Sequence, residues 1–170
     1  MSAVTPPHDY ALLFVCMGNI CRSPTAEAVA RAKAVQRGWA DRLLIDSAGT
    51  HNFHPGSPPD ARSQRHAQAR GYDLSSLRAR QVMDGDFSRH DLILVMDWDN
   101  LSLTEDLCPA MHRGKIRRLA EFAQRHPTEV IPDPYYGGAA GFEQVLDLIE
   151  DACDGLLDHL QGRPAARAAR

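Results

Sequence analysis

The stretch Ala11-Leu12-Leu13-Phe14-Val15-Cys16-Met17-Gly18-Asn19-Ile20-Cys21-Arg22-Ser23-Pro24 decides the architecture of this chain. Its first half is a short apolar run of the kind that forms a fully buried strand. Its second half places a thiol, a glycine, an asparagine, a guanidinium and a hydroxyl between that strand and a Ser-Pro helix start, with Ser23 read as N-cap and Pro24 at the first helical position. Successive backbone N–H groups in such a loop can curl into an anion-binding nest, and the helix that follows turns its positive end towards it. Arg22 adds a planar fork that matches two phosphoryl oxygens. These features also favour the ionised form of Cys16, the form that acts as a nucleophile. Gly18 is expected to allow close backbone approach and positive φ, and Asn19 to tolerate the left-handed region. The loop therefore reads as a phosphate pocket with a sulfur nucleophile at its base.

Working outward, short apolar runs alternate with helical patterns. Strands are expected over 11–16, 42–46, 91–96 and 115–119, and helices over 24–36, 58–70, 98–107 and 139–161. In the last helix Phe142, Val145, Leu146, Ile149, Cys153, Leu156, Leu157 and Leu160 fall on one stripe of period 3.6. Such alternation predicts an α/β domain with a parallel sheet covered by helices on both faces, and a ligand site beyond the carboxyl ends of the strands. Cys16 stands at such an end. The expected organisation is one domain over 10–161, with loose tails at 1–9, which holds Pro6-Pro7, and at 162–170, which holds Arg163, Arg167 and Arg170.

Composition bounds the partners. The 170 residues carry a formal charge of -3, so no global basic field marks a nucleic-acid binder. No apolar run approaches the ~20 residues of a membrane span, and the first residues do not read as a signal peptide. The four cysteines have no zinc-like spacing and are expected as thiols in a reducing cytoplasm. His51-x2-His54 lacks a third ligand at useful spacing, so no metal is expected. Asp97-x-Asp99-Asn100 lacks the glycine of a calcium loop. Asp97 reads instead as a helix-start or site-supporting carboxylate, and Asp84, Asp86 and Asp91 as surface turns.

Thiolate attack on a phosphate ester expels an oxyanion that needs a proton, so a carboxyl on another loop is required. Asp133 qualifies, stiffened on both sides in Pro132-Asp133-Pro134 and followed by Tyr135-Tyr136-Gly137.

V-C-M-G-N-I-C-R-S-P-T-A-E and D-P-Y-Y-G together resemble the phosphate loop and acid loop of the low-molecular-weight protein tyrosine phosphatases. The segments 46–50, 52–59, 79–82 and 96–97 fall at matching places, so the resemblance covers residues 10 to 160. It implies a four-stranded parallel twisted sheet flanked by helices, no cofactor, and hydrolysis of phosphotyrosine through a phosphocysteine. Carried over by residue, it implies Cys16 as nucleophile, Arg22 as phosphoryl ligand and Asp133 as general acid and then base. Residues Met17 to Ser23 would line the phosphate, with Ser23 assisting the thiolate. Asn19 and Ser47 would hold the loop's shape, and Cys21 would be a thiol able to form a reversible disulfide with Cys16. Met17, Phe53, Tyr135 and Tyr136 would wall the substrate ring. The implied partner is a phosphotyrosine protein, and the expected assembly is a monomer or weak dimer. Two departures stand out. The 71–80 segment is longer by one residue, and a histidine found there in relatives is replaced by Ser75 or Ser76. Trp98 replaces a polar residue, as a packing or interface aromatic. Two other functions share parts of these features: arsenate reduction, which would need Cys108 or Cys153 as resolving thiols, and phosphotyrosine binding without turnover.

Overall fold

A computed structural model describes residues 9–135 and 137–163. Four strands, β1 (Tyr10–Cys16), β2 (Leu43–Gly49), β3 (Leu92–Val95) and β4 (Ile116–Arg118), form one sheet in the order β2-β1-β3-β4. Every pairing is parallel. Among the described residues five helices accompany them: α1 (Arg22–Gln36), α2 (Ala61–Ala69), α3 (Asp84–Arg89), α4 (Trp98–Leu107) and α5 (Ala139–Leu160). Short 3₁₀ segments at Ala110–Lys115 and Leu119–Phe122 flank β4. The tails expected at 1–9 and 162–170 fall, except for Asp9 and 162–163, outside the described residues.

The continuous apolar run of β1 has the composition of a strand with no solvent face. Alternate residues then serve two cores. Leu12, Phe14 and Cys16 join Leu94 and Met96 under α1 and the apolar stripe of α5. Leu13 and Val15 join Ile93, Val95, Phe87 of α3 and Cys108 on the other face. Each fully buried side chain of this size contributes about 1.5–3 kcal/mol relative to exposure. Because the chain leaves β1 to one side for β2 and returns to the other side for β3, the connections diverge at the carboxyl end of β1. That crevice is where ligands bind in open parallel sheets, and Cys16 stands in it.

Several local expectations change. Helix α1 begins at Arg22 with Cys21 at the cap position, and no side chain caps it. Ser23 lies inside the first turn because its hydroxyl is used by the site. Pro24 is tolerated there because the N–H groups of a first helical turn have no intrahelical partner. Strand β2 runs on to Gly49, three residues past the apolar signal, because Ser47, Ala48 and Gly49 pair with Phe14, Val15 and Cys16. Asp84 and Asp86, read as surface turns, belong to α3. Asp86 is buried, receives Arg80 through both guanidinium nitrogens, and accepts the Met83 N–H. Burial works against its charge, but those donors hold its carboxyl below the usual range. Asp91 is buried too and accepts the N–H of Ala11. Trp98 is half-exposed, with the Arg118 guanidinium 4.1 Å from its ring centroid.

Helix α5 also pins the stretch after β4. Its buried Asp151 accepts the N–H groups of Gln124, Arg125 and His126. One turn on, Gly155 faces that stretch so closely that a Cβ would sit 1.8 Å from the Phe122 carbonyl oxygen. Gly→Ala inside a helix ordinarily gains about 0.5–1 kcal/mol. Gly155→Ala should instead lose about 1–3 kcal/mol by overpacking, read as a lower Tm. An unchanged or raised Tm would contradict this close approach.

Candidate active site

The loop after β1 is held from outside by its carbonyls. Those of Cys16 and Met17 accept the N–H groups of Thr50 and His51, that of Ile20 accepts Asp60, and that of Cys21 accepts Thr25. In a trans peptide the carbonyl and the next N–H point in opposite directions. The N–H groups of Met17, Gly18, Cys21 and Arg22 therefore turn away from these partners. Gly49 makes the arrangement possible: a Cβ there would stand 2.7 Å from the Met17 carbonyl oxygen.

Asn19 is the loop residue with positive φ, at 59°. Gly18 is not in the left-handed region. Its lack of a side chain matters through His54, whose ring carbon would lie 3.3 Å from a Cβ. The Asn19 amide donates to Ser23 Oγ at 2.7 Å and to Ser47 Oγ at 3.0 Å, and its oxygen accepts the backbone N–H of Arg80. Ser47 in turn donates to the buried Glu27 carboxylate at 2.7 Å. Ser23 Oγ, which accepts from Asn19, lies 3.0 Å from Cys16 Sγ, where either group can donate, and 3.4 Å from the Ala48 carbonyl, to which it can donate. Ser75 and Ser76, at the place of the absent histidine, are exposed and take no part. Arg80 and Glu27 complete this network instead.

Arg22 is buried. Its Nη1 donates to Asp97 at 2.6 Å and to the Ile131 carbonyl at 3.0 Å, and its Nη2 lies 3.6 Å from Asp133. Burial opposes its charge, yet Cys16, Asp97 and Asp133 more than offset this and raise its pKa. Asp97 has both roles expected of it: one oxygen caps α4 by accepting the Asn100 N–H, and the other holds Arg22. Asp133 is exposed and accepts the Tyr135 N–H at 3.0 Å. Cys21 differs from Cys16 in surroundings: burial pushes its thiol up to about 12, although Ser63 beside it acts the other way.

Cys16, Met17, Gly18, Ile20, Cys21, Arg22, Phe53, His54, Asp133 and Tyr135 line one pocket of about 160 Å³. Thus the fold gathers Cys16, Arg22 and Asp133, which come from the end of β1, the start of α1 and the loop before α5. Met17, Phe53 and Tyr135 stand on its walls. Asn19, Ser23, Ser47 and Asp97 brace it from behind. Tyr136 lies outside the described residues. His54 was not singled out as a pocket residue from sequence, and neither were Asp60 and Arg80 as loop supports. The signals for them were weak: a carboxylate after Pro58-Pro59 at a helix start, and an arginine in a loop. His51 stacks on Phe53, and among the described residues no group of three potential ligands could hold a metal ion.

With this geometry in place, comparison with known proteins is direct. The family model described as low molecular weight phosphotyrosine protein phosphatase matches residues 11–165. A low molecular weight protein-tyrosine-phosphatase of Streptomyces coelicolor is 40% identical over 163 residues, covering 94% of this chain and 99% of that protein. A crystal structure of a protein tyrosine phosphatase from Entamoeba histolytica, with Hepes in its active site, superposes with a TM-score of 0.87 at 41% identity. The match covers 89% of this chain and 97% of that one. The crystal structure of YfkJ from Bacillus subtilis gives 0.83 at 35% identity, covering 89% and 94%. Four parallel strands, a thiol-bearing loop at the switch point and a match spanning nearly the whole domain lead to one conclusion: the chain belongs to the low molecular weight phosphotyrosine protein phosphatase family.

Proposed function

We propose that this enzyme hydrolyses phosphotyrosine in proteins, and small aryl phosphates, through a phosphocysteine intermediate. The observation that carries the mechanism is the convergence of Cys16, Arg22 and Asp133 on one pocket, with the Arg22 guanidinium 3.6 Å from the Asp133 carboxylate. The phosphate dianion settles against the N–H groups of the Met17–Ser23 loop and the guanidinium of Arg22. The Cys16 thiolate, receiving the Ser23 hydroxyl proton in a hydrogen bond, attacks phosphorus. As the P–O bond to the ring breaks, Asp133 gives its proton to the departing phenolate oxygen. The Asp133 carboxylate then takes a proton from water, whose oxygen attacks phosphorus. The S–P bond breaks, releasing inorganic phosphate and restoring the thiolate. Spread equatorial charge in both transition states is stabilised by Arg22 and the loop amides. Asp97 and Ser47 support Arg22 and Asn19, while Met17, Phe53 and Tyr135 grip the ring.

The other readings gain little from the structure. A resolving thiol for arsenate reduction would have to reach Cys16. Cys108 sits in the core on one face of the sheet and Cys153 in the core on the other, and burial raises both thiols. A binding module without turnover would have no use for the retained Cys16 and Asp133. A phosphotyrosine protein is therefore the proposed partner, a monomer or weak dimer the proposed assembly, and the cytoplasm the proposed place of action. No helix among the described residues is long and apolar enough to cross a membrane.

Asp133→Asn should lower kcat for phenyl phosphate by roughly 10²–10⁴ with little change in substrate affinity; an unchanged kcat would remove Asp133 from the acid role. Cys16→Ser should abolish turnover yet still retain phosphotyrosine ligands, checked by single-turnover assay and calorimetry. Iodoacetamide at neutral pH should label Cys16 before Cys21, Cys108 and Cys153, because burial raises the other three thiols. Peptide mass spectrometry reads the order, and inorganic phosphate should protect Cys16 alone.

A further inference from the structure

Asp133 poses a positioning problem. It is exposed, and its ion-pair partner Arg22 lies 3.6 Å away, too far for a directed hydrogen bond. The loop that carries it is tied down at Ile131, whose N–H bonds the Met96 carbonyl at 2.7 Å and whose carbonyl accepts from Arg22. The other attachment is at Tyr135, and there the structure holds a side chain that the mechanism does not use. The guanidinium of Arg62, in the first turn of α2, lies 5.5 Å from the Tyr135 ring centroid and 4.8 Å from that of Phe142 on α5. Cations at such distances are attracted to ring faces.

Arg62 is itself fixed. Its Nε and Nη2 donate to the two oxygens of Asp60 at 3.1 and 3.0 Å. Asp60 caps α2 by accepting the Arg62 N–H, and its own N–H bonds the Ile20 carbonyl in the phosphate loop at 2.8 Å. A continuous series of contacts thus runs from the nucleophile's loop through Ile20, Asp60, Arg62 and Tyr135 to the Tyr135 N–H that bonds Asp133. A planar, forked cation suits this place: it engages a carboxylate edge-on while presenting its face to rings, which an ammonium cannot do.

We propose that Arg62 is a positioning residue for the acid. Through Tyr135 it ties the Asp133 loop to the phosphate loop, so that the carboxyl stays within reach of the ester oxygen when the P–O bond breaks. It touches neither the phosphoryl group nor Asp133. This rests on Asp133 being the general acid, and the experiment separates the two. An acid matters most when the leaving group is poor: p-nitrophenolate departs with little help, phenolate does not.

The test measures kcat/KM over a series of aryl phosphates from p-nitrophenyl to phenyl. Asp133→Asn comes first, and its loss should grow as the leaving group worsens; a flat series would fail the acid reading itself. Given that trend, Arg62→Met should repeat it in weaker form, with about tenfold loss on phenyl phosphate and under about twofold on p-nitrophenyl phosphate. In the Asp133→Asn background the same change should cost nothing further, since the two act as one unit. A uniform loss across the series, full activity throughout, or a loss that adds to that of Asp133→Asn would overturn the proposal. Thermal melts establish that the variant folds. Should Arg62→Met not fold, Arg62→Lys keeps a cation beside Asp60 but presents no planar face to the Tyr135 ring, and carries the same comparison, with the same trend expected and the same outcomes against it.

Discussion

The side-chain amide of Asn19 holds the site together. One residue in the left-handed conformation costs about 1–2 kcal/mol when it is not glycine. Here it brings the amide between three segments that are distant in sequence: the start of α1 at Ser23, the end of β2 at Ser47, and the backbone of Arg80. Each such hydrogen bond contributes about 0.5–1.5 kcal/mol net, and leaving any of these buried groups unpaired would cost more. The donor directions also matter. Both amide hydrogens are spent on hydroxyl oxygens, and the Ser23 hydroxyl that accepts one of them lies 3.0 Å from the sulfur of Cys16. Asn19 thereby fixes the hydroxyl that stands beside the Cys16 sulfur.

Charge is arranged around Arg22 with similar economy. A buried guanidinium without partners would be strongly unfavourable. Asp97 and the Ile131 carbonyl satisfy one nitrogen and leave the other turned to the pocket, near Asp133. Asp97 is also the cap of α4, so that helix cannot shift without disturbing Arg22. The supports of the site are in this way the same contacts that join the sheet to its helices. Behind them Arg80 is clamped by Asp46 and Asp86, which keeps its backbone N–H aimed at Asn19.

The family relationship and the mechanism meet at the pocket without being the same kind of knowledge. Similarity along residues 11–165 places the chain in its family. The bond-by-bond roles proposed for Cys16, Arg22 and Asp133 come from where their atoms lie and from what a phosphate ester requires. The clamp assigned to Arg62 depends on neither a motif nor a spacing. It emerges from two ring contacts and a bidentate ion pair that only the folded chain assembles.

Sequence alone determined the alternation of strand and helix, the buried character of β1, the stripe on α5 and the chemistry-bearing loop. Each of these is written in a local pattern whose period or composition survives without tertiary context. It also singled out Asp133, because prolines on both sides mark a stiff loop. It misjudged Asp86 and Asp91, read as surface turns, and Ser23, read as a cap. A carboxylate or hydroxyl looks the same in sequence whether it faces water or a buried donor, and only Arg80, Ala11 and Cys16, brought near by the fold, decide which. The same holds for Glu27, Asp60 and Arg62: their partners stand 20 to 80 residues away or across an element boundary, so long-range packing, not local propensity, gives them their work.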